Sequence, residues 1–109
     1  KSRKGIIMII WNNRLYIDDM LKPIKNEVME YIVEKKYVEG VYCIVMASNE
    51  KNIFDIIDSK ELLSSNYMYK NVNIVALAHG KQRAINMVAE IVEDVYAQTG
   101  EYNIRDYFK

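Results

Sequence analysis

The chain has little of what small proteins use to anchor chemistry at one point. In 109 residues there are one Cys, one Pro, one His, one Trp and four Gly. A lone Cys43 closes no internal disulfide, and one cysteine with one histidine cannot build a zinc site. No metal and no cofactor is therefore expected. Small chains from oxidising compartments usually carry paired cysteines, so a reducing, cytoplasmic setting is expected as well. An excess of one charge is also missing, with 15 Lys and Arg against 15 Asp and Glu. Nucleic acids and anionic membranes both call for a net or local positive field, so neither is an expected partner. The apolar run nearest the start, Ile6–Trp11, is too short to cross a bilayer and is followed by no small-residue cleavage pattern. Residues 1–109 contain no low-complexity stretch, repeat or linker, and their number suits a single domain.

What is present is ordinary globular material: 50% hydrophobic and 28% charged residues, a balance that argues against disorder. Abundant Ile, Lys, Asn and Tyr suit an AT-rich, bacterial genome. Three short apolar runs, Ile6–Trp11, Val41–Ala47 and Val72–Ala78, are rich in β-branched residues and read as strands covered on both faces. Between Asp18 and Lys36, Leu21, Ile24, Val28, Tyr31 and Ile32 recur at helical spacing. Asp18 or Asp19 serves as N-cap, and Pro23 is tolerated in the first turn. A weaker pattern from Asn52 to Ser65 (Ile53, Phe54, Ile56, Ile57, Leu62, Leu63) predicts one broken helix or two short ones. Gly80 to Gln98 is the clearest helix. Ala84, Ile85, Val88, Ile91, Val92, Val95 and Tyr96 line one side, Asn86, Glu90, Glu93 and Asp94 the other, and Thr99-Gly100 stops it.

Strands alternating with helices predict an α/β fold, β-α-β-α-β-α. The expected form is a three-layer α/β/α arrangement around a small, mainly parallel three-stranded sheet of order 2-1-3. The alternative is α+β, with Ile6–Trp11 and Arg14–Ile17 forming an N-terminal hairpin about Asn12-Asn13.

Few motifs carry chemistry. Tyr16-Ile17-Asp18-Asp19 resembles the Tyr-x-Asp-Asp element of reverse transcriptases, whose paired carboxylates hold metal ions. Such a palm needs a further carboxylate on an earlier strand, and Lys1–Arg14 holds no Asp or Glu. The same aspartates resemble those after the first strand of response-regulator receiver domains. Here, however, the third strand ends in Ala78-His79-Gly80 rather than in a phosphoacceptor Asp. No nucleophile elbow is present, although Ser48 at the end of the second strand is a possible neighbour for His79. An enzyme is thus the least supported reading, and no catalytic residue is assigned.

One loop is a candidate ligand site. His79, Gly80, Lys81 and Arg83 sit where a strand ends and a helix begins, where free N–H groups attract phosphate or carboxylate. The tail Glu101–Lys109 carries Tyr102, Ile104, Tyr107 and Phe108, too apolar for a loose end, and these four are candidate interface residues. Tyr67 and Tyr69 could stack on bases, but in a chain without excess positive charge an interface is the preferred reading. A three-stranded sheet with unguarded edges invites pairing, and closed two-fold dimers are the commonest oligomers. The leading functional reading is a non-catalytic interaction or self-association module, a homodimer or a binder of another protein. The second is a small-ligand or regulatory domain using the His79 loop.

Overall fold

The densest apolar segment in the chain takes the middle of the sheet. In the computed structural model, which describes residues 8–63 and 71–109, β4 (Asn71–His79) holds Val72, Ile74, Val75, Ala76, Leu77 and Ala78, none more than 4% exposed. Residues apolar on both faces need neighbours on both sides, and β4 has them. It pairs in parallel with β1 (Met8–Ile17) and antiparallel with β2 (Val41–Met46). Outside β2 lies β3 (Phe54–Asp58), antiparallel to it, giving the order β1-β4-β2-β3.

The three-stranded, mainly parallel 2-1-3 arrangement is thus corrected to a four-stranded mixed sheet in an α+β fold. The reason lies in Phe54–Asp58, read from its sequence as helical. Short apolar runs fit either period. Here Phe54 and Ile56 pack with one core and Ile57 with the other, the alternation of a strand. This segment folds back on β2 as a hairpin, β2 also runs antiparallel to β4, and only β1 and β4 are parallel.

The N-terminal hairpin does not form either. Residues 8–17 run as one strand on one side of β4. Between Trp11 and Tyr16, β1 advances five residues while β4 advances two, from Ile74 to Ala76, so three residues of β1 bulge out. Asn12 stabilises the bulge instead of turning the chain. Its Oδ1 accepts from Arg14 N at 2.9 Å, and its Nδ2 donates to Phe108 O at 2.7 Å and Asn73 Oδ1 at 3.2 Å. Lys1, Ile6, Ser65, Tyr67 and Tyr69, all named above, lie outside the described residues.

Two cores flank the sheet. On one face Leu21, Val28 and Ile32 meet Val41, Cys43, Val45, Ile57, Ile74 and Leu77. Val28 and Ile32 belong to α1 (Lys25–Val33), preceded by a 3-10 turn at Lys22–Ile24 that accommodates Pro23. On the other face Ala84, Met87, Ile91 and Val95 of α2 (Lys81–Thr99) cover Ile44, Val75, Ala76 and Ala78. There α3 (Ile104–Tyr107) adds Ile104, with Phe108 following it. Among the described residues no helix is long and apolar enough to cross a membrane.

Cys43 sits within the first core with 0% exposure, and burial, aided by the Asp58 charge, pushes its thiol up to about 12. A thiol-disulfide reagent at pH 8 is therefore expected to leave the folded protein unmodified and to titrate one thiol after denaturant is added. Prompt reaction without denaturant would contradict this packing.

Candidate functional site

The C-terminal ends of the parallel strands β1 and β4 meet at Asp18 and His79. Asp18 is not a helix cap, as its sequence position suggested, but a buried tie at 3% exposure. Its N–H donates to Leu77 O at 3.0 Å. Its carboxylate accepts from His79 N at 2.9 Å, from Met20 N at 3.2 Å and from Arg83 Nε at 3.5 Å. Burial alone would raise this carboxyl, but the His79 and Met20 N–H groups and the Arg83 guanidinium together outweigh it and hold the group below the usual carboxylate range.

Around this tie runs the loop from His79 to Lys81 that joins β4 to α2. Gly80 has φ +94°, a left-handed value suited to glycine, and its N–H donates to Gly40 O at 2.7 Å. Gly40 in turn has φ +80°, and a Cβ there would come within 3.0 Å of His79 Nε2. Gly80 caps α2 without any side-chain bond, and His79 and Lys81 are exposed. Arg83 is already engaged, with Nη1 2.8 Å from Glu90 Oε2 and Nε against Asp18. Two carboxylates therefore stand beside Arg83, which weakens the pull of this loop on an anion.

Ser48 and His79 do not meet. In the antiparallel pair His79 lies opposite Val41, at the start of β2, whereas Ser48 follows the other end of that strand. A base and a nucleophile at opposite ends of a sheet share no substrate.

The four candidate interface residues divide. Ile104 and Phe108 point into the second core at 2% exposure, and the Phe108 ring makes edge contacts with Tyr16, Phe54 and Tyr107. Tyr102 is 56% exposed and stacks on Tyr96 with centroids 4.5 Å apart. Tyr107 is half-buried beneath the Arg14 guanidinium, 4.4 Å from its ring centre. Nearby, the Tyr16 hydroxyl donates to the Asp94 carboxylate, which also accepts from Gln98 Nε2 at 2.8 Å. Burial and that bond raise the Tyr16 hydroxyl well above its ordinary value. These polar contacts tie β1, α2 and α3 together.

A second site was not anticipated. Between β3 and α2 runs an open groove of about 390 Å³, floored by Ile53, Phe54 and Ile56 and walled by Ile85, Val88 and Val92, with Lys51 and Asn52 at one end. The α2 residues form a stripe of their own, one position along from the buried row Ala84, Met87, Ile91 and Val95. One position is 100° of helix, so the apolar surface of α2 is about twice as wide as its core contact requires. Ile85 is 44% and Tyr96 45% exposed. The sequence held this signal, since the single wide stripe read there contained the outer row and, except for Met87, the buried one.

Beside the groove is a sheet edge. Ala47 N donates to Ile53 O at 2.9 Å, so the backbone groups of Ile53, and by alternation of Asp55 and Ile57, face β2. Those of Phe54, Ile56 and Asp58 face outward, and Asp58 N donates to Glu61 Oε1 at 3.3 Å. Among the described residues no strand flanks this side of β3. The hairpin carrying it is held by Arg105, whose guanidinium donates to the carbonyls of Ala47, Asn49 and Asn52. No family model, curated protein or solved structure matches this chain.

Proposed function

We propose that this chain is a non-catalytic self-association module, in which the β3 edge and the outer stripe of α2 of one copy pair with those of a second. The observation that supports this best is the coincidence, on one side of the molecule, of outward-facing backbone groups with the half-exposed row Ile85, Val88 and Val92. Backbone groups supply pairing and the apolar stripe supplies burial, the two ingredients of an extended sheet between subunits. The opposite edge is less suited, because the bulge between Trp11 and Tyr16 interrupts its ladder, whereas β3 stays in register with β2 across all five of its residues. Tyr102 and Tyr107 are left as secondary surface.

The phosphate or carboxylate reading of the His79 loop has less behind it, since Arg83 is bound to Glu90 and Asp18. Light scattering during size-exclusion chromatography at tens of micromolar tests the proposal. A mass twice the 12.8 kDa of one chain is expected. Ile85→Glu, at a position exposed in the single subunit, should leave the far-ultraviolet spectrum unchanged and weaken association by about 2 kcal/mol or more, the scale of a central interface residue. A wild-type protein of single-chain mass under these conditions contradicts the proposal.

A further inference from the structure

We infer that the two-fold axis of this pairing passes through Ile56, so that β3 lies antiparallel to its copy in full overlap and the two sheets become one of eight strands. This rests on the self-association proposed above and goes beyond it by fixing the register. A two-fold axis perpendicular to a sheet keeps each side chain on its own face, so it can pass only through a residue, never between two. Centring on Asp55 would set that carboxylate directly against its own copy, which destabilises a pair. Centring on Phe54 or Ile57 leaves part of the five-residue strand unpaired.

Centring on Ile56 meets every condition. Phe54, Ile56 and Asp58, the residues whose backbone groups face outward, then pair among themselves: Ile56 with Ile56, and Phe54 with Asp58. Asp55 falls opposite Ile57. Lys51 precedes the strand and Glu61 follows it in a 3-10 turn at Ser59–Leu63, so antiparallel copies bring Lys51 of each and Glu61 of the other to the same end of the pair. Both are exposed, and Lys51 makes no ion pair among the described residues. Ile56 and its copy then bridge the two grooves, with Ile85 and Val88 from each side closing over them.

Engineered cysteines read the axis directly, because buried Cys43 stays out of the reaction. Ile56→Cys places two thiols across a hydrogen-bonded pair with Cα atoms about 5.5 Å apart, within disulfide reach. Asp55→Cys would face its own copy only diagonally, at about 7–8 Å, beyond that reach. The expected result under mild oxidation is a covalent dimer from Ile56→Cys and none from Asp55→Cys. The converse moves the axis and overturns the register while leaving self-association standing. If neither variant links and the wild type is still a dimer, another face is used and both readings of β3 fall. A monomeric wild type removes the whole proposal. Charge reversal gives a second readout that does not depend on the cysteine variants folding. Lys51→Glu and Glu61→Lys should each weaken the dimer, and the double variant should regain affinity; failure of the double variant to recover counts against this register.

Discussion

Replacing Phe108 by Ala is expected to cost about 3–5 kcal/mol of folding stability, a large share of the about 5–15 kcal/mol that holds a domain of this kind together. Phe108 is among the largest fully buried side chains of the described residues. Its ring fills the angle between β1, β3 and α3, with edge contacts to Tyr16 at 6.1 Å and Phe54 at 6.0 Å. Its carbonyl also accepts from Asn12, so the strand bulge and the C-terminus are secured together. Urea denaturation followed by circular dichroism measures the loss. A change below about 1 kcal/mol would mean that the site collapses around the gap or that the tail is not packed as described.

Asp18→Ala is the second large effect, about 3 kcal/mol, because it strands the N–H groups of His79 and Met20 and removes one partner of Arg83. Its pH dependence has a definite sign. The carboxyl is held below its usual range when folded, so it binds fewer protons in the native state than in the unfolded one. Its contribution is fully present above the unfolded value, about 3.9, and fades as pH falls through the lower folded value. Wild type and variant should therefore differ most near neutrality and converge at acid pH below about 4. A gap that stays constant down to pH 2 would assign the loss to packing rather than to the charge.

Much of the helical framework was legible from periodicity alone. The row in α2 and the stop at Gly100 with its left-handed φ of +76° follow from apolar spacing and glycine placement, whereas the apolar tail pointed to an interface and Ile104 and Phe108 turn into the core instead. Sheet order was not. Ile53 to Leu63 offers the same residues to a helix or a strand, and only pairing with β2, which sequence spacing does not encode, decides between them. That one segment also governed the site, because the sheet edge and the groove are both built on β3. Asn12-Asn13 misled for a related reason: asparagine suits a turn and a bulge equally well, and the partner that settles it, Phe108, is 96 residues away. Asp18 was noticed as a cap, but its contact with His79 spans the chain and could not be read from local spacing.

Backbone hydrogen exchange at Phe54 and Ile56 is the most direct measurement of whether the β3 edge is paired. Both amides face away from β2, so in an isolated subunit they should exchange rapidly, while those of Asp55 and Ile57 are protected by the hairpin. At high protein concentration the wild type should protect all four, and Ile85→Glu should release Phe54 and Ile56 alone. Rapid exchange at Phe54 and Ile56 at every concentration would contradict pairing through this strand.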